Sequence, residues 1–185
     1  MKVLETIADF TRKGLLTGLS NDEILKITDI LIQCAKDPAA RLKVSEIIAD
    51  LSRKDLLNEL SNDKILKIVD ALKLCVSDNG ARFYVAISIS RLASNSLLGR
   101  FESDPEKLVD LLDECSANHD CVPHVLNAIE VFLGRNNMTK YYDQTTDEGR
   151  RNVVDELVGG SLLKNLTDDG KAKLKDIIDR CVYYI

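Results

Sequence analysis

Residues 5–45 read ETIADFTRKGLLTGLSNDEILKITDILIQCAKDPAARLKVS, and residues 46–86 read EIIADLSRKDLLNELSNDKILKIVDALKLCVSDNGARFYVA. Laid one on the other without a gap, 23 of the 41 positions are identical. Glu5 falls on Glu46, Asp9 on Asp50, Leu15-Leu16 on Leu56-Leu57 and Cys34 on Cys75. A period of about 40 residues is the length of a two- or three-helix unit that cannot bury its apolar face alone, so successive copies stack. The echo predicts a stacked helical array rather than a globular enzyme fold, and binding rather than catalysis.

Three pieces make up one unit. An amphipathic helix spans about Ala40–Lys54, with Val44, Ile47, Ile48 and Leu51 at helical spacing on one face. A short apolar piece, Asp55–Leu60, follows and ends in Ser61-Asn62-Asp63, whose side-chain oxygens suit the open amides of a helix start. A further helix runs from about Asp63 to Cys75, with Ile65, Ile68, Leu72 and Cys75 toward the core. The first copy repeats this with Leu15–Leu19, Ser20-Asn21-Asp22 and Ile24 to Cys34. The third is more divergent but keeps Val85, Ile89 and Leu92, and it loses one residue, so that Asp110 and Cys115 follow Asp70 and Cys75 by 40 positions. A fourth helix, CVPHVLNAIEVFLGR, holds the frame with Val125, Ala128, Ile129 and Phe132. Pro105 and Pro123 stand where helices should begin, the place proline tolerates best.

After Arg135 the period fails through a polar stretch, 136–146, and then returns at an offset of 106 from the second copy. The expected layout is a single repeat domain over 1–185, with units at about 1–36, 37–77, 78–117 and 118–135, an irregular insertion at 136–146, and a final unit at 147–185.

Composition narrows the function classes. The net charge is -5, which argues against a phosphate-gripping surface, since nucleic-acid binders usually carry a basic stripe. No stretch of 18 apolar residues exists, so no membrane-spanning helix is expected, and MKVLETIADF does not read as a signal peptide. Five cysteines, an odd number, suit a disulfide framework poorly. Cys34, Cys75, Cys115 and Cys181 recur at one place in the unit and read as small buried hydrophobes. Cys121 stands outside that column. Cys115, His119, Cys121 and His124 are near one another in sequence, but their spacing matches no common zinc pattern. A Cys/His nucleophile pair there would lack an orienting group and oxyanion donors. No glycine-rich phosphate loop precedes a helix. The expectation is a non-enzyme with no cofactor and no metal.

With Thr6-Ile7-Ala8-Asp9-Phe10-Thr11, Ile47-Ile48-Ala49-Asp50-Leu51-Ser52 and Ser88-Ile89-Ser90-Arg91-Leu92-Ala93 quoted side by side, the unit resembles an armadillo repeat, a relative of the HEAT repeat. In that family a motif close to A-L-S-N-L-A lies on the third helix. Here the apolar positions agree, while Asp9, Asp50 and Arg91 stand at the family's asparagine, and its glycine between the first two helices is absent. The resemblance implies an all-α fold, a right-handed α-solenoid (superhelix) of armadillo/HEAT-like repeats, in which the third helices line a concave groove.

The groove positions implied by the resemblance are Lys2, Glu5, Asp9; then Lys43, Glu46, Asp50; then Tyr84, Ile87, Arg91; then His124, Asn127, Val131. The steps of three and four residues keep each triplet on one helix face. The expected partner-binding set is Lys43, Glu46, Asp50, Tyr84, Ile87, Arg91, His124 and Asn127. Its centre is favoured because aromatics and arginine are common interface anchors. The bland alternative is a solvated face with ordinary pairs such as Lys43–Glu46. Arg12-Lys13 and Arg53-Lys54 close the longer helix in both copies, where cations complement the helix dipole.

The functional expectation is a protein-protein interaction module, an adaptor, scaffold or regulatory fragment, with signalling or cytoskeletal regulation as its setting and the cytoplasm, or alternatively the nucleus, as its location. ARLKVSEIIADLSRKDLL is similar to third helices of armadillo-only regulators of small GTPases, which makes GTPase regulation one alternative. A nucleic-acid-binding α-solenoid is the alternative from another class, but RNA-reading repeats have shorter periods with basic and stacking residues in register. Terminal units of such arrays normally carry a polar outer face. Val3, Leu4, Ile7 and Phe10 at one end, and Val-Tyr-Tyr-Ile at the other, depart from that and suggest self-association through a solenoid end.

Overall fold

Ser20 and Glu23 show how the sequence starts its helices. The Ser20 hydroxyl accepts from the Glu23 amide, and Glu23 Oε2 accepts from the Ser20 amide at 2.9 Å, so two orphan donors are satisfied reciprocally. In the computed structural model, which describes residues 2–95, 97, 105–134, 155, 158 and 163–183, the described residues form eight α-helices and no strand. These are α1 (Lys2–Arg12), α2 (Asn21–Cys34), α3 (Arg41–Arg53), α4 (Asn62–Cys75), α5 (Arg82–Ser94), α6 (Pro105–Ser116), α7 (Val122–Phe132) and α8 (Asp168–Tyr183). The chain is all-α, and the helix beginnings at Pro105 and near Pro123 agree with the sequence. It divides into two compact units, Met1–Leu97 and Leu98–Ile185, with the boundary inside the third repeat.

In the first unit α3 packs against both α1 and α5, and α2 packs against α4. Helices at the same place in the repeat are therefore neighbours. The core is continuous along this row: Leu4, Ala8, Leu31, Val44, Ile48, Leu51, Ile65, Leu72, Val85 and Ile89 are all buried.

Local hydrogen bonds repeat with the sequence. Arg41 Nε donates to the Ala35 carbonyl at 3.3 Å, and Arg82 Nε to the Val76 carbonyl at 3.2 Å. Asp37 Oδ1 accepts from the Ala39 amide, Asp78 Oδ1 from the Gly80 amide and Asn118 Oδ1 from the Asp120 amide, so the same side-chain-closed turn opens three successive units. Gly14, at φ 71°, and Asp55, at φ 58°, occupy one repeat position in the left-handed region that ends α1 and α3. At Asp55 the amides of Leu56 and Asp55 donate to the carbonyls of Leu51 and Ser52, the double closure of a Schellman motif.

In the second unit α6 packs against α7 and α8, and α7 against α8. Glu106, Asp110 and Asp113 lie at i, i+4 and i+7 on α6 and meet α8 along its length. Glu106 Oε1 accepts from the Thr167 amide and hydroxyl. Lys173 Nζ sits 2.9 Å from Asp110 and 3.1 Å from Asp113. Arg180 bridges Asp113 to Asp176.

Three expectations need correcting. Ser61 caps α4 by position only, with no side-chain bond, because Lys64 replaces Glu23 and cannot close the box; Lys64 instead pairs with Asp29. The cysteine column is buried at Cys75, Cys115 and Cys181, but Cys34 is only half-buried, as is Ile27 on the same face. Leu4 and Ile7 are buried, so only Val3 and Phe10 of the N-terminal apolar set face water. The irregular insertion and most of residues 147–162 lie outside the described residues, as do Tyr184 and Ile185.

Candidate interaction surface

On α3 the backbone leaves one strip facing solvent, because Val44, Ser45, Ile47, Ile48, Ala49, Leu51 and Ser52 are all buried. Lys43, Glu46 and Asp50 lie on that strip, each half-buried. They are not a bare acidic patch. Lys43 Nζ pairs with Glu46 at 2.5 Å, and Arg53 pairs with Asp50 at 3.1 Å. On α1 Arg12 pairs with Asp9 at 2.7 Å, one repeat away from the Arg53–Asp50 pair. Partly exposed pairs of this kind contribute about 0–1 kcal/mol each, so a ligand exchanges them at little cost. They also offset the pull that Asp9 and Asp50 would exert on a basic peptide.

The strip changes on α5. Residues Val85 through Ser90 are all buried, and Ile87 is 3% exposed. Ile87 takes the place of Glu46, but its side chain is buried in the core. Only the ends of the strip reach water: Tyr84 half-buried, Arg91 exposed. The Tyr84 ring meets Phe83 edge-on, with centroids 5.8 Å apart and planes at 71°. Such a packed aromatic has little rotamer freedom left to lose on binding.

In the second unit His124 is half-buried and Asn127 exposed on α7. Cys121 is buried at the end of the short 3-10 turn His119–Cys121 that leads into α7. Among the described residues no three histidine, cysteine or acidic side chains converge as metal ligands would.

Two of the buried cysteines, Cys75 and Cys181, are poor nucleophiles. Burial pushes the Cys75 thiol up to about 12 and the Cys181 thiol up to about 11, against an ordinary 9.0. No helix of the described residues is long and apolar enough to cross a membrane. The chain matches no protein-family model, no curated protein and no solved structure.

A second surface was only partly legible in the sequence. An apolar groove of about 480 Å³ opens between α1, the turn at Leu15–Gly18 and α2. Val3 and Leu15 at 57% exposure, Phe10 at 45% and Ile30 at 39% line it. Val3 and Phe10 carried a sequence signal. Leu15 and Ile30 did not, because leucine and isoleucine inside a helical pattern read as core.

Proposed function

We propose that the chain is a protein-binding module, an armadillo/HEAT-like α-solenoid acting as an adaptor, scaffold or regulatory fragment. The observation that carries this reading is the row α1, α3, α5. Helices at one repeat position lie side by side, which presents their water-facing strips as adjacent stripes. Repeated helices in a row give an extended surface, and extended surfaces suit peptides and protein faces rather than small substrates.

Within the first unit the partner-contacting positions are Lys43, Glu46 and Asp50 on α3 with Tyr84 and Arg91 on α5. Tyr84 and Arg91 serve as anchors, because aromatics and arginine carry the largest share of energy at protein interfaces. The paired charges on α3 set register and specificity rather than strength.

Affinity capture from source lysate tests the reading, comparing the wild-type chain with Tyr84→Ala and Arg91→Glu. A partner recovered by the wild type should be lost or reduced at least about tenfold with Arg91→Glu, the effect of removing an anchor. Equal recovery by all three chains removes this surface from consideration.

A further inference from the structure

The groove at the α1–α2 end has an internal reference, because the chain contains the same surface one repeat later. Val3 corresponds to Val44, Thr6 to Ile47, Phe10 to Leu51 and Ile30 to Ala71. Val3, Phe10 and Ile30 are 57%, 45% and 39% exposed; Val44, Leu51 and Ala71 are 0%, 0% and 2% exposed. Both repeats have a further repeat on their C-terminal side. They differ in that α1 and α2 shield α3 and α4 on the other side, where the equivalent side of α1 and α2 faces solvent. The exposed groove is thus the continuation of an interface the chain already makes between its first two repeats.

That interface also states what chemistry covers it. Its apolar part is the aliphatic buried side of α1 and α2, which carries Leu4, Ala8, Ile24 and Leu31. Its polar part includes two contacts. Lys54 Nζ donates to the Thr11 carbonyl near the end of α1, and Lys64 pairs with Asp29 on α2. In the first repeat Lys13 stands in the place of Lys54, and Glu23 in the place of Lys64. The first contact is conserved in type between the two copies and the second is reversed in sign.

We propose that this end face is a docking site for a helix pair of the same repeat type, seated as α1 and α2 are seated on α3 and α4. The occupant presents an aliphatic face to Val3, Phe10, Leu15 and Ile30. It offers Lys13 a backbone carbonyl at the end of its first helix. Opposite Glu23 it carries a basic residue where α2 has Asp29, since an aspartate there would put like charges together in a partly dehydrated contact.

A tandem chain tests this: residues 1–45 joined to residues 5–185, which adds one repeat in register and puts Leu42-Lys43-Val44-Ser45 of the added copy in place of Met1–Leu4 of the original, with a valine again at the position of Val3. Two versions are compared, one with Asp29 kept in the added copy and one with Asp29→Lys there. The added repeat should raise Tm by at least about 5 °C, and the lysine version should stand above the aspartate version by about 2 °C or more. Glu23→Gln in the original copy should abolish the difference between the versions. Leu15→Asp in the original copy should remove most of the gain, yet move Tm by less than about 2 °C in the untandemed chain, where Leu15 faces water. No rise in Tm with either version overturns the proposal, as does equal Tm for the lysine and aspartate versions. Sedimentation of the untandemed chain as a dimer that Leu15→Asp converts to monomer overturns it in favour of a second copy of this chain as the occupant.

Discussion

Glu106 and Thr167, 61 residues apart, are joined twice: Glu106 Oε1 accepts from the Thr167 amide at 2.9 Å and from its hydroxyl at 2.7 Å. The same hydroxyl accepts from the Gly170 amide at 3.1 Å, so a carboxylate of α6 sits over the first turn of α8. An anion is favoured at that position because the first amides of a helix point outward unsatisfied.

This contact explains a glycine inside a helix. A Cβ at Gly170 would collide with the Glu106 carboxylate. Gly170→Ala should therefore destabilise the protein by about 1–2 kcal/mol, through displacement of a doubly bonded carboxylate. In a Glu106→Ala background the same substitution should stabilise by about 0.5–1 kcal/mol, because alanine is the better helix former. Urea denaturation of the four chains checks the change of sign. Additive effects would mean that Glu106 does not set the residue at 170.

The two helix caps should differ although both are serines followed by Asn-Asp. Ser20→Ala should cost about 1 kcal/mol and Ser61→Ala only a few tenths, since the Ser20 hydroxyl accepts from an amide and that of Ser61 does not. The bonds from Ser20 hold the Glu23 carboxyl below its usual range. A depressed carboxylate contributes stability above its unfolded value that is lost as pH falls through the folded one. The Ser20→Ala penalty should accordingly shrink under acid. Thermal melts at neutral pH and at pH 3 measure it.

Adjacent residues on α2 separate core from surface. Leu31 is 1% exposed and Ile30 39%. Leu31→Ala should cost about 2–5 kcal/mol, the loss of a buried side chain with a cavity left behind. Ile30→Ala should stay within about 0.5 kcal/mol, as surface changes do. Comparable losses in denaturant titrations would contradict the burial described for this helix.

Alkaline pH should unfold the chain through its cysteines. Unfolded thiols ionise near 9.0, while buried Cys75 resists to about 12 and Cys181 to about 11. Across those windows the unfolded state releases protons that the folded state keeps, so stability falls as pH rises above about 9. Lys173 adds to the trend. Its hydrogen bond to Asp110 raises its ammonium above the usual value, against a smaller opposing effect of burial, and that contribution is also lost as pH rises. Cys75→Ala should flatten the alkaline limb of a stability curve measured from pH 8 to 11. In iodoacetamide labelling at pH 8, half-buried Cys34 should react first and Cys75 only on unfolding.

Much of the helical architecture was legible because it rests on local periodicity. Val44, Ile47, Ile48 and Leu51 repeat at helical spacing and are buried. Pro105 begins α6 as its fixed backbone angle predicts. The site was less legible. Ile87 follows the groove spacing of Glu46, yet α5 is buried all round at that level, and spacing within one helix carries no information about what covers it. Asp50 reads as a free acid until its pairing with Arg53 is seen. The seam from Glu106, Asp110 and Asp113 to Thr167, Lys173 and Arg180 joins residues about 60 positions apart, beyond the reach of any local pattern.

The sequence by itself determined that this chain is helical, where most helices begin and end, and which side chains repeat, because those properties follow from spacing and from caps within a few residues. Tertiary structure decided which copies of a repeated residue are covered. Val3 and Val44 are the same residue in the same local pattern, and one faces water while the other is fully buried. The difference is the presence of a neighbouring helix pair, a property of packing that neither segment encodes alone.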